Sequence, residues 1–264
     1  MNQLKGKVVV ITGASSGIGE EVAKKLAWSG ATAIMIARSA NKLESLQKEI
    51  RSTYNQEAYY YSVDLTDRKQ WENTINRIMS TFPRVDALIN NAGFGVFESF
   101  DEMDWDKAEK MLSLNVNSLM YTTYRLLPAL KQQRSSHIIN IASQAGRIAT
   151  PKAAVYSATK SAVISFSNAL RMELAQNTQV NVTCVNIGPV KTSFFDQADP
   201  SGKYQESVAR YMLEPEKVAT KICQALFTNK REINLPKWMQ FGSVLYQLFP
   251  SAMERLLKSQ FEKK

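Results

Sequence analysis

Lys7-Val-Val-Val-Ile-Thr12-Gly13-Ala-Ser15-Ser16-Gly17-Ile18-Gly19 is the stretch that decides how this chain folds. Lys7 to Thr12 is short and β-branched and runs into glycines, so it reads as a buried strand. Glu20 to Ser29 continues as a helix with Val22, Leu26 and Ala27 on one side. A strand, a glycine-rich turn and a helix start make a phosphate cradle. The glycines let backbone approach a ligand closely, and the helix N-terminus offers free N–H groups at the positive end of its dipole. A lone glycine triplet says little, but one placed between a strand and a helix carries weight.

Working outward, the alternation continues. Thr32 to Ala37 reads as a second strand, Asn41 to Tyr54 as an amphipathic helix striped by Leu43, Leu46 and Ile50, and Ala58 to Val63 as a third strand. Asp67 is placed to cap a helix reaching Phe82. Val85 to Ile89 makes a fourth strand, closed by Asn90-Asn91-Ala92-Gly93. One long helix is expected from Asp104 to Gln132, with Asn115 at an unfavourable mid-helix position. A strand from His137 to Ala142, ending at Ser143, precedes a helix from about Ala153 to Ala175. Val180 to Ile187 is almost continuously apolar, as a parallel strand covered on both faces should be. Pro215 to Thr228 reads as a helix and Arg231 to Leu235 as a short last strand. Strands alternating with helices predict an α/β fold with a doubly wound parallel sheet, whose ligands bind at the carboxyl ends of the strands. Gly13–Gly19, Arg38, Asp64, Asn91–Gly93 and Ser143 all fall at such ends.

Within that frame, two sites acquire a chemical reading. The second strand of a dinucleotide-binding sheet ends near the adenosine ribose, where an acid would bind the 2′-hydroxyl and an Arg would accommodate a 2′-phosphate. Here no acid is present and Arg38 stands next in line, followed by Ser39. Asp64 ends the third strand, where it can face an adenine amino group. Further on, Tyr156-Ser-Ala-Thr-Lys160 puts a phenol and an amine one helical turn apart on one face. A fixed ammonium beside a phenol favours phenolate, which would make Tyr156 a usable acid/base. The Ser143 hydroxyl can hydrogen-bond a carbonyl or alkoxide held against it.

Composition sets limits. The chain has 264 residues, is 44% hydrophobic and carries a formal charge of +9, enough for one sizeable core in a single domain. The basic balance fits an anionic ligand, an acidic partner, nucleic acid or an anionic membrane surface without choosing among them. The one histidine, His137, nearly removes Ser-His-Asp catalysis and histidine-rich metal sites; it reads as the polar start of a strand. Cys184 and Cys223 are far apart in apolar surroundings and read as free thiols of an intracellular, cytoplasmic protein, and no metal site is expected.

Taken together, Thr12-Gly-Ala-Ser-Ser-Gly-Ile-Gly19, Asp64, Asn90-Asn-Ala-Gly93, Asn115, Ser143, Tyr156-Ser-Ala-Thr-Lys160 and Gly188-Pro-Val-Lys-Thr192 resemble the short-chain dehydrogenase/reductase family, in order, from about Lys5 to Thr192. The resemblance implies a Rossmann-type sheet and a nicotinamide cofactor. It makes Tyr156 the proton donor in carbonyl reduction or the base in alcohol oxidation, and Lys160 the group that lowers its pKa and binds the nicotinamide ribose. Ser143 would orient the reacting oxygen, and Asn115 would hold a relay water to Lys160. Gly13, Ser16, Gly17, Ile18, Gly19, Leu65, Asn91, Ala92 and Gly93 would line the cofactor, with Gly188, Val190 and Thr192 at its carboxamide and phosphate end. Arg38, with Ser15 and Ser39, would meet a 2′-phosphate, so NADP(H) is expected. The family usually carries Pro-Gly after the sixth strand, whereas this chain has Gly188-Pro189.

The expected organisation is a catalytic domain over 1–235, with a substrate lid about 192–213, and a basic helical extension over 236–264. Phe194, Phe195, Tyr204, Tyr211 and Met212 suggest an apolar lid, with Phe94, Arg147 and Ile148 as further pocket lining. In the extension, Trp238, Phe241, Leu245, Leu248, Phe249, Met253, Leu256, Leu257 and Phe261 recur at helical spacing, and residues 230–264 hold seven basic against three acidic residues, a net +4. Such a helix can cover its own core, a subunit interface or an anionic membrane surface. The leading functional reading is an NADPH-dependent reductase of a small carbonyl/alcohol substrate, assembled as a homo-oligomer (dimer or tetramer). A 3-oxoacyl carrier-protein reductase is the enzymatic alternative. A non-catalytic NADP(H)-binding regulatory protein is the other, and the intact Asn115, Ser143, Tyr156 and Lys160 argue against it. Nucleic-acid binding rests on net charge alone and ranks last.

Overall fold

The computed structural model describes residues 3–176 and 178–261. Glu262, Lys263 and Lys264, and the side chains of Leu257, Lys258 and Phe261, which the sequence placed in the basic amphipathic tail, lie outside the described residues. Seven parallel strands form one sheet: β1 (Val8–Thr12), β2 (Thr32–Ala37), β3 (Ala58–Ser62), β4 (Ala87–Asn90), β5 (Ser136–Ser143), β6 (Val180–Ile187) and β7 (Glu232–Leu235). Their order is β3-β2-β1-β4-β5-β6-β7. The chain winds outward in both directions from β1 and β4, and the crevice at that reversal is where a doubly wound sheet binds its ligand.

Helices cover both faces. On one, α1 (Gly17–Trp28), α2 (Ala40–Tyr54) and the later helix α9 (Pro215–Ala225) bury Val22, Leu26, Leu43, Leu46 and Ile222 with the sheet residues Val9, Ile11 and Met35. On the other, α3 (Arg68–Thr81), capped by Asp67 through the Gln70 N–H at 3.0 Å, buries Trp71, Ile75 and Ile78. The strands are apolar on both sides because both sides are covered.

The expected single helix from Asp104 to Gln132 is instead three segments. An α-helix α4 (Trp105–Leu112) passes through a π-helical stretch, Ser113–Ser118, into α5 (Leu119–Lys131). Asn115 lies inside the π stretch, where the ladder holds one extra residue per turn. The Leu119 N–H, which an unbroken α-helix would give to the Asn115 carbonyl, bonds Val116 O. After β5 comes the long helix α6 (Ala154–Ala175), which carries Tyr156 and Lys160 on a buried face. Beyond β6, the segment expected to form a lid holds α7 (Phe194–Ala198) and α8 (Lys203–Val208). Two helices, α10 (Lys237–Leu248) and α11 (Pro250–Phe261), follow β7.

Candidate active site

The carboxyl ends of β1, β2, β4, β5 and β6 open onto one cleft of about 870 Å³. The turn between β1 and α1 is built by close backbone approach. Gly13 has φ +67°, and a Cβ there would sit 2.8 Å from Ala92 Cα. At Gly19 a Cβ would lie 2.2 Å from Gly13 O and 2.6 Å from Asn91 Nδ2. Asn91 is what holds the two loops together: its Nδ2 donates to Thr12 O (3.1 Å) and Gly13 O (3.0 Å), while the Asn91 and Ala92 N–H groups donate to Thr12 Oγ1. Ser16 stands at the N-cap of α1 but makes no side-chain cap hydrogen bond. The first-turn N–H groups are therefore not met by a cap, as a phosphate seat requires.

Of the residues assigned to the cofactor, Gly13, Ser15, Ser16, Gly17, Ile18, Arg38, Ser39, Asp64, Leu65, Asn91, Ala92, Gly93, Gly188, Val190 and Thr192 all line this cleft, together with Ser143, Tyr156 and Lys160. Gly19 does not line it; its part is to let α1 pack on the turn. Asn115 also sits behind the wall. Its Oδ1 accepts the Phe94 N–H (3.0 Å), and its Nδ2 donates to Phe94 O (2.8 Å) and Thr159 Oγ1 (3.1 Å). The Asn115 side chain is thus engaged within the protein rather than offered to a relay water.

At the β2 end of the cleft, Arg38 and Ser39 are exposed, and Lys42 of α2 joins them as a residue the sequence reading missed. Lys42 is the third residue of a surface helix, and its own pattern gives no signal; only the fold places it beside Arg38. Asp64 turns back on its own loop, with Oδ1 accepting from Thr66 N (2.9 Å) and Thr66 Oγ1 (2.7 Å). Partial burial works to raise its pKa, but the Thr66 hydrogen bonds and the Arg38 guanidinium outweigh this and hold the carboxyl below its ordinary value.

Ser143, Tyr156 and Lys160 meet at the β5 end, each at least nine-tenths buried. Ser143 Oγ donates to Ile187 O (3.2 Å) and accepts the Ala145 N–H (3.1 Å), and its nearness works to lower the Tyr156 phenol. Lys160 Nζ donates to Ile141 O at 3.0 Å and stands 5.9 Å from the centre of the Tyr156 ring. Burial opposes the lowering of the phenol that a neighbouring ammonium would bring. Burial pushes Tyr156 up to about 12 against the opposing pull of Ser143, and burial lowers Lys160 to about 8.

Around Tyr156 the wall is aromatic. Phe97 and Phe194 lie 5.8 and 5.7 Å from its ring, and Phe195 and Tyr204 pack behind them. Phe94 and Ile148 line the cleft as expected. Arg147 does not; its Nη2 turns away to Glu232 Oε2 at 2.6 Å and ties the loop after β5 to β7. The Gly188-Pro189 order leaves room for Met239, whose sulfur would lie 2.7 Å from a Cβ at Gly188. Through Trp238, Met239 and Gly242, α10 adds a wall to the same cleft, a role that helical periodicity alone did not assign.

The short chain dehydrogenase family profile matches residues 7–202 of this chain. The chain belongs to the short-chain dehydrogenase family. Among its relatives, a dehydrogenase/reductase SDR family protein 7-like of Drosophila melanogaster is 35% identical over 240 residues, which are 88% of this chain and 73% of the fly protein. An uncharacterized oxidoreductase of Staphylococcus saprophyticus is 34% identical, covering 86% of this chain and 93% of that one. The fold is similar to an alcohol dehydrogenase of the archaeon Thermococcus sibiricus solved with 5-hydroxy-NADP (TM-score 0.78, 26% identity, 88% of this chain and 96% of that one). It is equally similar to a 3-ketoacyl-(acyl-carrier-protein) reductase of Brucella melitensis solved with NADH (TM-score 0.78, 26% identity, 88% and 97%). The chain is thus a member of an oxidoreductase family whose structures hold nicotinamide dinucleotides of both kinds.

Proposed function

We propose that this protein is an NADPH-dependent reductase of an uncharged, apolar carbonyl compound. The observation that carries the reading is a single cleft whose wall combines an uncapped helix start, Arg38 at the β2 end, and buried Ser143, Tyr156 and Lys160 at the β5 end. The turn at Gly13 and the first turn of α1 would take the pyrophosphate. Arg38, with Lys42, Ser15 and Ser39, would take a 2′-phosphate, which an acid in Arg38's place would repel. A bound nicotinamide supplies the hydride that adds to the carbonyl carbon.

The chain's own groups handle the proton. Burial disfavours the phenolate, so Tyr156 holds its proton at neutral pH until a carbonyl oxygen beside it takes on negative charge. Its O–H proton passes to the carbonyl oxygen as that carbon is reduced, giving the alcohol and a tyrosinate. Ser143 Oγ holds the same oxygen in place. Lys160, with its amine near pKa 8, stabilises the tyrosinate and returns a proton to it. The main-chain carbonyl of Asn115 would hold the water that resupplies Lys160. The aromatic wall of Phe97, Phe194 and Phe195 offers no charge to a substrate, which favours an apolar ketone or aldehyde over a carrier-bound thioester. Self-association belongs to the same reading: Tyr124 on α5 and Met172 on α6 are exposed for a second copy to cover.

The test is NADPH and NADH oxidation across ketones, aldehydes, steroids and 3-oxoacyl thioesters, with Tyr156→Phe as control. Tyr156→Phe should keep NADPH binding and lose roughly two to four orders of magnitude in turnover. Turnover retained in that variant would refute the role given to Tyr156.

A further inference from the structure

Helix α10 turns its apolar stripe outward. Phe241, Val244, Leu245 and Leu248 recur at i, i+3, i+4 and i+7, the spacing of a core-facing helix. Yet Phe241 is 76% and Leu248 64% exposed, with Val244 and Leu245 exposed as well. The side facing the protein instead carries buried Ser243, half-buried Gly242, and Met239 against Gly188. Trp238 at the start of the helix, Phe249 at its end and Leu256 on α11 extend the exposed apolar surface. Single exposed apolar side chains are ordinary, but a contiguous set marks an interaction surface.

We propose that the outer face of α10 and α11 docks in the plane of an anionic lipid bilayer. No helix among the described residues is long and apolar enough to cross a membrane, so the helices would lie on it. The composition fits that posture: Trp and Phe with leucines, flanked by exposed Lys237 and Arg255 and by Arg210 stacked 4.6 Å over Tyr211, which meets Trp238 at 5.5 Å. Between Lys237 and Phe261 the one acidic residue is Glu254, and it accepts the Tyr246 hydroxyl at 3.0 Å. A second copy is a poorer occupant. In a two-fold contact this patch would meet itself, setting its basic residues against their own copies in a chain already at +9. Anionic headgroups complement the same residues. The helix also walls the cleft through Trp238, Met239 and Gly242, so docking sets that wall at the lipid boundary. An alcohol or ketone dissolved in the bilayer is the substrate class this route delivers. That last clause rests on the reductase reading, whereas lipid docking itself does not.

Pelleting with sucrose-loaded vesicles tests docking, with full-length protein and neither cofactor nor substrate present. Vesicles of phosphatidylcholine with phosphatidylserine should carry down most of the protein, and phosphatidylcholine alone much less. Phe241→Glu with Leu248→Glu should abolish pelleting, while Phe100→Glu, which removes an exposed phenyl elsewhere, should leave it intact. NADPH binding by the double variant should match the wild type and show that the cleft is still folded. Wild-type protein that stays in the supernatant overturns the proposal, as does equal pelleting of the double variant. If light scattering shows a dimer that the double variant breaks, with no pelleting of either protein, the face belongs to a second copy.

Discussion

His137 is the chain's one histidine and is fully buried near the start of β5. Its Nδ1 accepts the Phe227 N–H at 2.7 Å, which fixes the neutral ring's proton on Nε2. Nε2 then donates to Thr183 Oγ1 at 2.8 Å, and Thr183 Oγ1 donates in turn to Lys230 O. Both ring nitrogens are engaged, so a second proton would set N–H against N–H in an apolar interior. Burial lowers the ring from 6.5 to about 3. The unfolded chain takes up this proton near pH 6.5, whereas the folded chain refuses it until about pH 3. Stability therefore falls as pH drops through that window, at about 1.4 kcal/mol per unit, roughly 5 kcal/mol in all. That is a large share of the ~5–15 kcal/mol that holds a domain folded. A lone histidine gives a single imidazole resonance, so proton NMR reads it without assignment. The resonance should keep its neutral shift from pH 8 down to the onset of unfolding. His137→Gln should be less stable at pH 7 but lose stability less steeply with acid in urea titrations. A resonance that titrates near pH 6.5 while the protein stays folded would refute the reasoning.

Three other perturbations probe the cleft. Arg38→Asp should weaken NADPH binding at least tenfold and leave NADH nearly unchanged, read by fluorescence titration; equal losses would show that Arg38 is not the phosphate contact. Gly19→Ala forces a methyl to within 2.2 Å of Gly13 O, so it should cost about 1–3 kcal/mol in chemical denaturation and weaken both dinucleotides together. Asn115→Ala leaves the Phe94 N–H and C=O without their partner and should cost about 2–4 kcal/mol, seen as a lower Tm. Asn115→Asp should restore the bond from the Phe94 N–H and not the one to Phe94 O, and so fall between.

Where one physical rule governs a segment, the sequence is enough to read it. β2 and β6 span Thr32–Ala37 and Val180–Ile187, the bounds their apolar and β-branched runs predict, because a strand covered on both faces is apolar along most of its length. The π stretch at Ser113–Ser118 was not legible: an inserted residue changes the hydrogen-bond ladder without changing the apolar period, and the only trace was an Asn in an unfavourable place. Arg147 was misplaced for a related reason. Its spacing after Ser143 puts it on the cleft loop, but Glu232 lies 85 positions away in sequence, and only the pairing of β6 with β7 brings that carboxylate within reach.

The proposed catalytic set shows the same division between spacing and environment. Tyr156 and Lys160 are one turn apart, and helical geometry alone puts them on one face. What each does with a proton depends on neighbours that spacing cannot supply. Ile141 O takes the Lys160 ammonium at 3.0 Å, and Phe97 and Phe194 pack against the Tyr156 ring. Burial disfavours the charged form of both groups, which moves their pKa values apart, phenol upward and ammonium downward. Helical spacing therefore says which two groups meet, and the depth at which they are buried says which way the charge of each is disfavoured. α10 is the complementary case. Its period announces an apolar stripe, but which side becomes wet is settled by the partner surface, here the open space over Gly188 that accepts Met239 and turns Phe241 and Leu248 away from the protein.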